Sequence, residues 1–88
     1  MNISRDADGH LLEHGDTVIV LRIPEWLQRG LPDEDRLAMN DQVGRELVVA
    51  GFDGHGHVEL EFLAENGNHT IYIDGGSLRR ILSAKARG

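Results

Sequence analysis

The sequence predicts one small, mainly β domain of about five antiparallel strands, with a short helix in a long first loop. Three observations carry this expectation. β-patterned runs recur between turns rich in glycine and aspartate, and one of them, His57-Val-Glu-Leu-Glu-Phe62, alternates apolar and polar residues without a break. The chain has 88 residues, too few for two hydrophobic cores, so residues 1–88 form a single domain with its core at about 15–82. Its hydrophobic share is 40% and its charged share 27%, ordinary globular values despite eleven glycines. With no cysteine present, packing has to do what disulfides or thiolate-bound zinc do elsewhere.

In chain order, Asp6-Ala-Asp-Gly9 is a turn cluster, and Leu11-Leu12 leads from it to a second turn at Gly15-Asp16. Asp16-Thr-Val-Ile-Val-Leu-Arg22 is apolar and β-branched on both alternating faces, as in a strand covered on both sides or lying at a barrel seam. Pro24 ends it, because proline has no amide hydrogen to give to a sheet. The excursion that follows runs to about Gly44. Its segment 31–44 has proline early, three acids in the next turn and glycine at the end, which is the grammar of a two-turn helix. The few apolar positions of that helix, Leu37, Ala38 and Val43, suit it to covering one end of a β structure. A strand over Glu46–Phe52 and the alternating run 57–62 flank Asp53-Gly-His-Gly56, a hairpin signal. Val58, Leu60 and Phe62 are expected inside, with Glu59 and Glu61 in water. A turn at 64–68 leads to a strand over 69–74, with Ile71 and Ile73 on one face and Thr70 and Tyr72 on the other. Asp74-Gly-Gly-Ser77 is a break, and Leu78–Leu82 is expected to be a helical turn feeding a last edge strand. No internal repeat stands out.

The motifs Gly15-Asp-x-Val-x-Val20, Val43-Gly44, Phe52-Asp-x-x-Gly56, the alternation from Val58 to Phe62, and Ile71-x-Ile73-x4-Leu78 stand in the order found in small barrels. The chain resembles the SH3-like repeat modules of mind-bomb-type proteins and, more loosely, KOW-type barrels, over roughly residues 15–82. That resemblance implies an SH3-like barrel and a binding module without catalysis, whose ligand sits on the long first loop and the adjacent strands. Tyr72 stands where those modules commonly have tryptophan, so the identity of the ligand does not transfer.

The charge balance narrows the partners. Fifteen acids face nine bases, a net charge of −6, and Arg79, Arg80, Lys85 and Arg87 lie in the last ten residues. A surface this acidic repels phosphate backbones, so no nucleic-acid partner is expected. The basic tail Ser83–Gly88 reads as solvated. Apolar runs such as Val18-Ile-Val-Leu21 are far short of a membrane span, and the first residues lack the basic start and apolar stretch of a signal peptide. A cytoplasmic protein with no membrane contact is expected.

Catalytic motifs are missing: there is no Gly-x-Ser-x-Gly elbow and no phosphate-binding loop with Lys-Ser/Thr. The sequence therefore predicts neither an enzyme nor a cofactor. Asp6-x-Asp8-Gly9 echoes a calcium loop, but its glycine comes early and Thr17 stands where the twelfth-position glutamate belongs, so it reads as a turn. His55-Gly-His57 is the best histidine pair, and Asp53 and Glu59 beside it could supply oxygen, yet it sits at a hairpin turn, where polar residues gather for turn geometry alone, and no metal is expected. Trp26 is the most informative residue. It lies beside Leu27 and Leu31 in the first loop, where it either plugs a barrel end or anchors a partner, and the plug is favoured because a small domain needs every apolar side chain. An exposed Trp26 would form a platform with Tyr72, and the acidic run Asp33, Glu34, Asp35 would select a basic peptide or protein. The preferred reading is a protein-interaction module docking such a partner through residues Trp26, Leu27, Leu31, Asp33, Glu34, Asp35 and Tyr72. The alternatives are a homo-oligomer that pairs strand edges such as Val18–Leu21 or Leu47–Val49, and an acidic inhibitor that masks a basic partner.

Overall fold

The computed structural model describes residues 4–81, so the basic tail Ser83–Gly88 lies outside the described residues. Five antiparallel strands make one open sheet: β1 (Thr17–Val20), β2 (Glu46–Phe52), β3 (His57–Ala64), β4 (Gly67–Asp74) and β5 (Leu78–Ile81), in the order β4-β3-β2-β1-β5. Two helices, α1 (Glu25–Gln28) and α2 (Asp33–Asn40), occupy the long connection between β1 and β2. The mainly β expectation holds, with five strands and a two-turn helix in the first loop. As β4 and β5 are the two edges of the sheet, the structure shows no closure into a barrel among the described residues.

The core gathers on one face of the sheet. Val18 and Val20 of β1, Val49 of β2, Val58, Leu60 and Phe62 of β3, Ile71 and Ile73 of β4, and Leu78 of β5 are all buried, and each such side chain stabilises by about 1.5–3 kcal/mol relative to exposure. Ile23 and Met39 extend this cluster from the first connection. The alternation in β3 and β4 follows the pleat: Glu61, Thr70 and Tyr72 are exposed and Leu60, Phe62, Ile71 and Ile73 are buried, while Glu59, expected in water, is half-buried. A bulge between Val49 and Gly51 shifts the β2–β3 register, as an extra residue in one strand does.

Three local expectations are corrected. Leu78–Ile81 is strand from its first residue, paired with Val20–Thr17 of β1, and the helical turn lies earlier, a 3-10 turn at Gly75–Ser77. The Ser77 hydroxyl donates to the Asp74 carboxylate at 3.1 Å, which closes the turn before the chain extends. The β3–β4 turn shrinks to Glu65-Asn66, because Asn68 and Gly67 pair with Leu63 and Ala64. Trp26 is no plug: it is 46% exposed, and Leu27, Ile23 and Met39 pack against the core in its place.

Before β1, residues 4–12 form a hairpin, bridged between Arg5 and Leu11. It is joined to β5 through the Ala7 amide, which donates to the Leu78 carbonyl at 2.8 Å, and to the β2–β3 turn through Ser4 Oγ, which donates to the Gly56 carbonyl at 2.7 Å.

Candidate functional site

A groove of about 440 Å³ lies between the first connection and β4. Its near wall is built from α1 and the start of α2. Pro24 sets the extended backbone that begins the single turn of α1, and the Gln28 side chain donates to the Ile23 carbonyl at 3.0 Å, folding the segment back on itself. Asn40 donates to Gln28 Oε1 at 2.9 Å and so clamps α2 to α1. Trp26, Leu27 and Leu31 thereby face the groove, with Met39 at its base. The far wall is β4, from His69 to Tyr72.

Each end of the groove carries an acid held in a hydrogen-bonded array. At one end Asp53 Oδ1 accepts the amides of His55 (2.7 Å) and His57 (3.0 Å), and its Oδ2 lies 2.7 Å from His57 Nδ1. A carboxylate in that position accepts, so the proton sits on Nδ1. The His57 ring lies 5.4 Å from the Trp26 ring at an interplanar angle of 43°, and this contact fixes the indole at the groove rim. Burial works to raise the Asp53 pKa, but the hydrogen bonds from the His55 amide and from the His57 ring and amide outweigh it, and the pKa falls to about 2. Asp53 is therefore charged at neutral pH.

At the other end Asp35 Oδ1 accepts the Asn66 side-chain amide at 3.0 Å. With its nitrogen committed there, Asn66 offers its oxygen to His69 Nε2 at 2.7 Å, so the proton of His69 sits on Nε2. The His69 ring stacks on Phe62 with centroids 5.1 Å apart. Between the two acids the lining is mainly apolar and aromatic, interrupted by Thr70, His57 and His69, and no Lys or Arg contributes to it among the described residues.

Of the residues singled out by sequence, Trp26, Leu27, Leu31, Asp35 and Tyr72 line this groove together. Asp33 and Glu34 do not: Asp33 pairs with Arg36 on the outer side of α2, and Glu34 is exposed. Sequence reasoning missed Asp53, His57, His69 and Met39. The first two carry a legible signal in retrospect, because the pentapeptide Asp-x-x-Gly-His occurs twice. In Asp6–His10 and Asp53–His57 alike, the aspartate Oδ1 accepts the amides two and four residues on, and Oδ2 faces the histidine Nδ1. Gly9 and Gly56, with φ near +90°, supply the left-handed step that each turn requires.

The first of these turns also brings ligand-type atoms of Asp6, Asp8 and His10 within 4.8 Å of one another. Hydrogen bonds account for that cluster. Both Asp6 oxygens accept amides, the second from Arg80 at 2.7 Å, and Asp8 Oδ2 accepts Arg79 Nε at 2.9 Å. It is a clasp between the N-terminal hairpin and β5. Among the described residues no helix is long and apolar enough to cross a membrane. No protein-family model, no curated protein and no solved structure significantly matches the chain.

Proposed function

We propose that this chain is a non-catalytic interaction module, an SH3-like small barrel acting in the cytoplasm, whose groove between the first connection and β4 docks a peptide or protein of basic character. One observation carries the reading: the groove joins a mainly apolar and aromatic lining, Trp26, Leu27, Leu31, Met39, Ile71 and Tyr72, to two acids, Asp35 and Asp53, with no Lys or Arg in the lining among the described residues. Half-exposed Trp26 and Tyr72 on its rim supply contact area at low entropic cost, as aromatic anchors of interfaces do. Asp35 and the charged Asp53 give it the sign that attracts cations, in keeping with a net charge of −6. The SH3-like reading draws support from the element order of one strand, a long first connection, a three-strand meander and a short last strand after a 3-10 turn.

The test is capture from lysate by the wild-type chain beside Trp26→Ala and Tyr72→Ala, with folding of each variant checked by circular dichroism. Basic partners are expected to be held by the wild type and to bind each variant at least about tenfold more weakly, since truncating an aromatic anchor costs that much or more. Raising the salt should weaken capture further. Capture left unaltered by both substitutions, in folded variants, removes the groove as the dock. The strands expected to pair between copies, Val18–Leu21 and Leu47–Val49, lie along β1 and β2, which are paired on both sides inside the sheet, and the N-terminal hairpin is bonded to β5. A chain that captures only itself, and that scatters light as a dimer, favours instead a homo-oligomer through the β4 edge.

A further inference from the structure

The β4 wall of the groove is lined by four consecutive residues, His69, Thr70, Ile71 and Tyr72. Side chains of a strand alternate between faces, so an unbroken run cannot line a groove with one face. What borders the groove is the edge of the strand, its backbone. β4 is an edge of the sheet, paired only with β3. The two-residue turn Glu65-Asn66 closes between Ala64 and Gly67, which makes Ala64/Gly67, Phe62/His69, Leu60/Ile71 and Val58/Ile73 the pairs that exchange backbone hydrogen bonds. The intervening residues Asn68, Thr70 and Tyr72 turn their N–H and C=O groups away from β3. Among the described residues no backbone hydrogen bond reaches these groups from the outer side.

Resting on the docking reading above, we infer that the partner is an extended basic segment that adds to β4 as a sixth strand, hydrogen-bonded to the backbone of Thr70 and Tyr72. Strand addition satisfies main-chain groups that the fold leaves open, while alternate side chains of the guest enter the groove toward Leu27, Leu31 and Met39. The acids mark where its cations belong: Asp35 beside the β3–β4 turn, and Asp53 near the Tyr72 end. A guest of about seven residues, at roughly 3.3 Å each, spans that edge. Charge argues against a second copy as the occupant, since two chains of net −6 would bring like-charged grooves together.

The experiment uses the full chain and a heptapeptide of alternating valine and threonine flanked by lysines, with amide hydrogen exchange read by NMR. On binding, the Thr70 and Tyr72 amides are expected to slow at least tenfold, whereas His69 and Ile71, already bonded to β3, change little. A glutamate-flanked peptide of the same core should bind at least tenfold more weakly. Binding that is lost in Trp26→Ala but leaves Thr70 and Tyr72 exchange unchanged overturns strand addition and leaves the docking reading standing. If the lysine peptide does not bind at all, both fall. Protection of Thr70 and Tyr72 that grows with protein concentration in the absence of peptide overturns the proposal in favour of self-pairing.

Discussion

Asp6→Ala is expected to lower stability by about 3 kcal/mol, a fall of roughly 15 °C in Tm for a chain of this size. The Asp6 side chain is inaccessible to solvent. Its Oδ1 accepts the amides of Asp8 (3.0 Å) and His10 (2.7 Å), and its Oδ2 accepts the Arg80 amide at 2.7 Å, a contact between residues 74 apart in sequence. Alanine leaves these donors without their acceptor at a seam that water does not readily reach, and hydrogen bonds to a charged group contribute about 1.5–3 kcal/mol each. Acid should act in the same direction. Burial raises the Asp6 pKa, but the amides of Arg80, His10 and Asp8 and the His10 ring together outweigh it and bring the pKa from 3.8 to about 2. Because the folded value lies below the unfolded one, the contribution is complete above about pH 4 and is lost as the pH falls toward 2, at a cost of about 2 kcal/mol. Asp53 is shifted in the same direction, to about 2, and adds to the loss in the same window. Urea midpoints between pH 7 and pH 2 check this: the wild type should weaken below pH 4, and Asp6→Asn should weaken less steeply. Midpoints that stay flat to pH 2 would show that neither carboxylate is held as described.

The meander was legible because one of its faces is wet. Val58, Leu60, Phe62, Ile71 and Ile73 alternate with polar residues, and the alternation alone sorts them to the core. β5 was not legible in the same way. Leu78 and Ile81 stand three apart with two arginines between them, a spacing that a helical turn and a short strand share. Pairing with Val20 and Thr17, about sixty residues earlier, decides between them, and no local pattern contains that information.

The site was partly legible for comparable reasons. That Trp26 sits beside Leu27 and Leu31 is plain from the chain, but its exposure depends on Ile23, Leu27 and Met39 filling the end of the core first. The acidic run misled as a unit, because consecutive helical residues point about 100° apart. Only Asp35, four residues before buried Met39, shares the face that reaches the groove, while Asp33 turns outward to Arg36. His57 needed the fold: its turn is local, but its contact with Trp26 joins two segments that the sequence keeps about thirty residues apart.

Gly75→Ala is expected to cost about 3 kcal/mol, and for a steric reason alone. Gly75 is buried at the start of the 3-10 turn between β4 and β5, and it is absent from the glycines with left-handed φ. A Cβ there would land on the carbonyl oxygen of Arg5, with the Arg5 carbonyl carbon 3.0 Å away. Both sides of that contact are backbone, so no rotamer change relieves it, and overpacking of this kind costs 1–3 kcal/mol or more. Relief requires the N-terminal hairpin to lift from β5, and that motion breaks the bond from the Ala7 amide to Leu78 and the bond from Ser4 to Gly56. Gly56 belongs to the Asp53–His57 turn, so the disturbance reaches the histidine that supports Trp26. Three readouts therefore move together: a Tm about 15 °C lower, faster exchange of the Ala7 amide, and a shift in emission from Trp26, the sole tryptophan. Gly76→Ala is the control, because its Cβ meets only the Asp74 side chain, at 3.3 Å. Equal Tm values for the two variants would mean that the hairpin does not pack on Gly75, and that the clasp at Asp6 holds it without close contact.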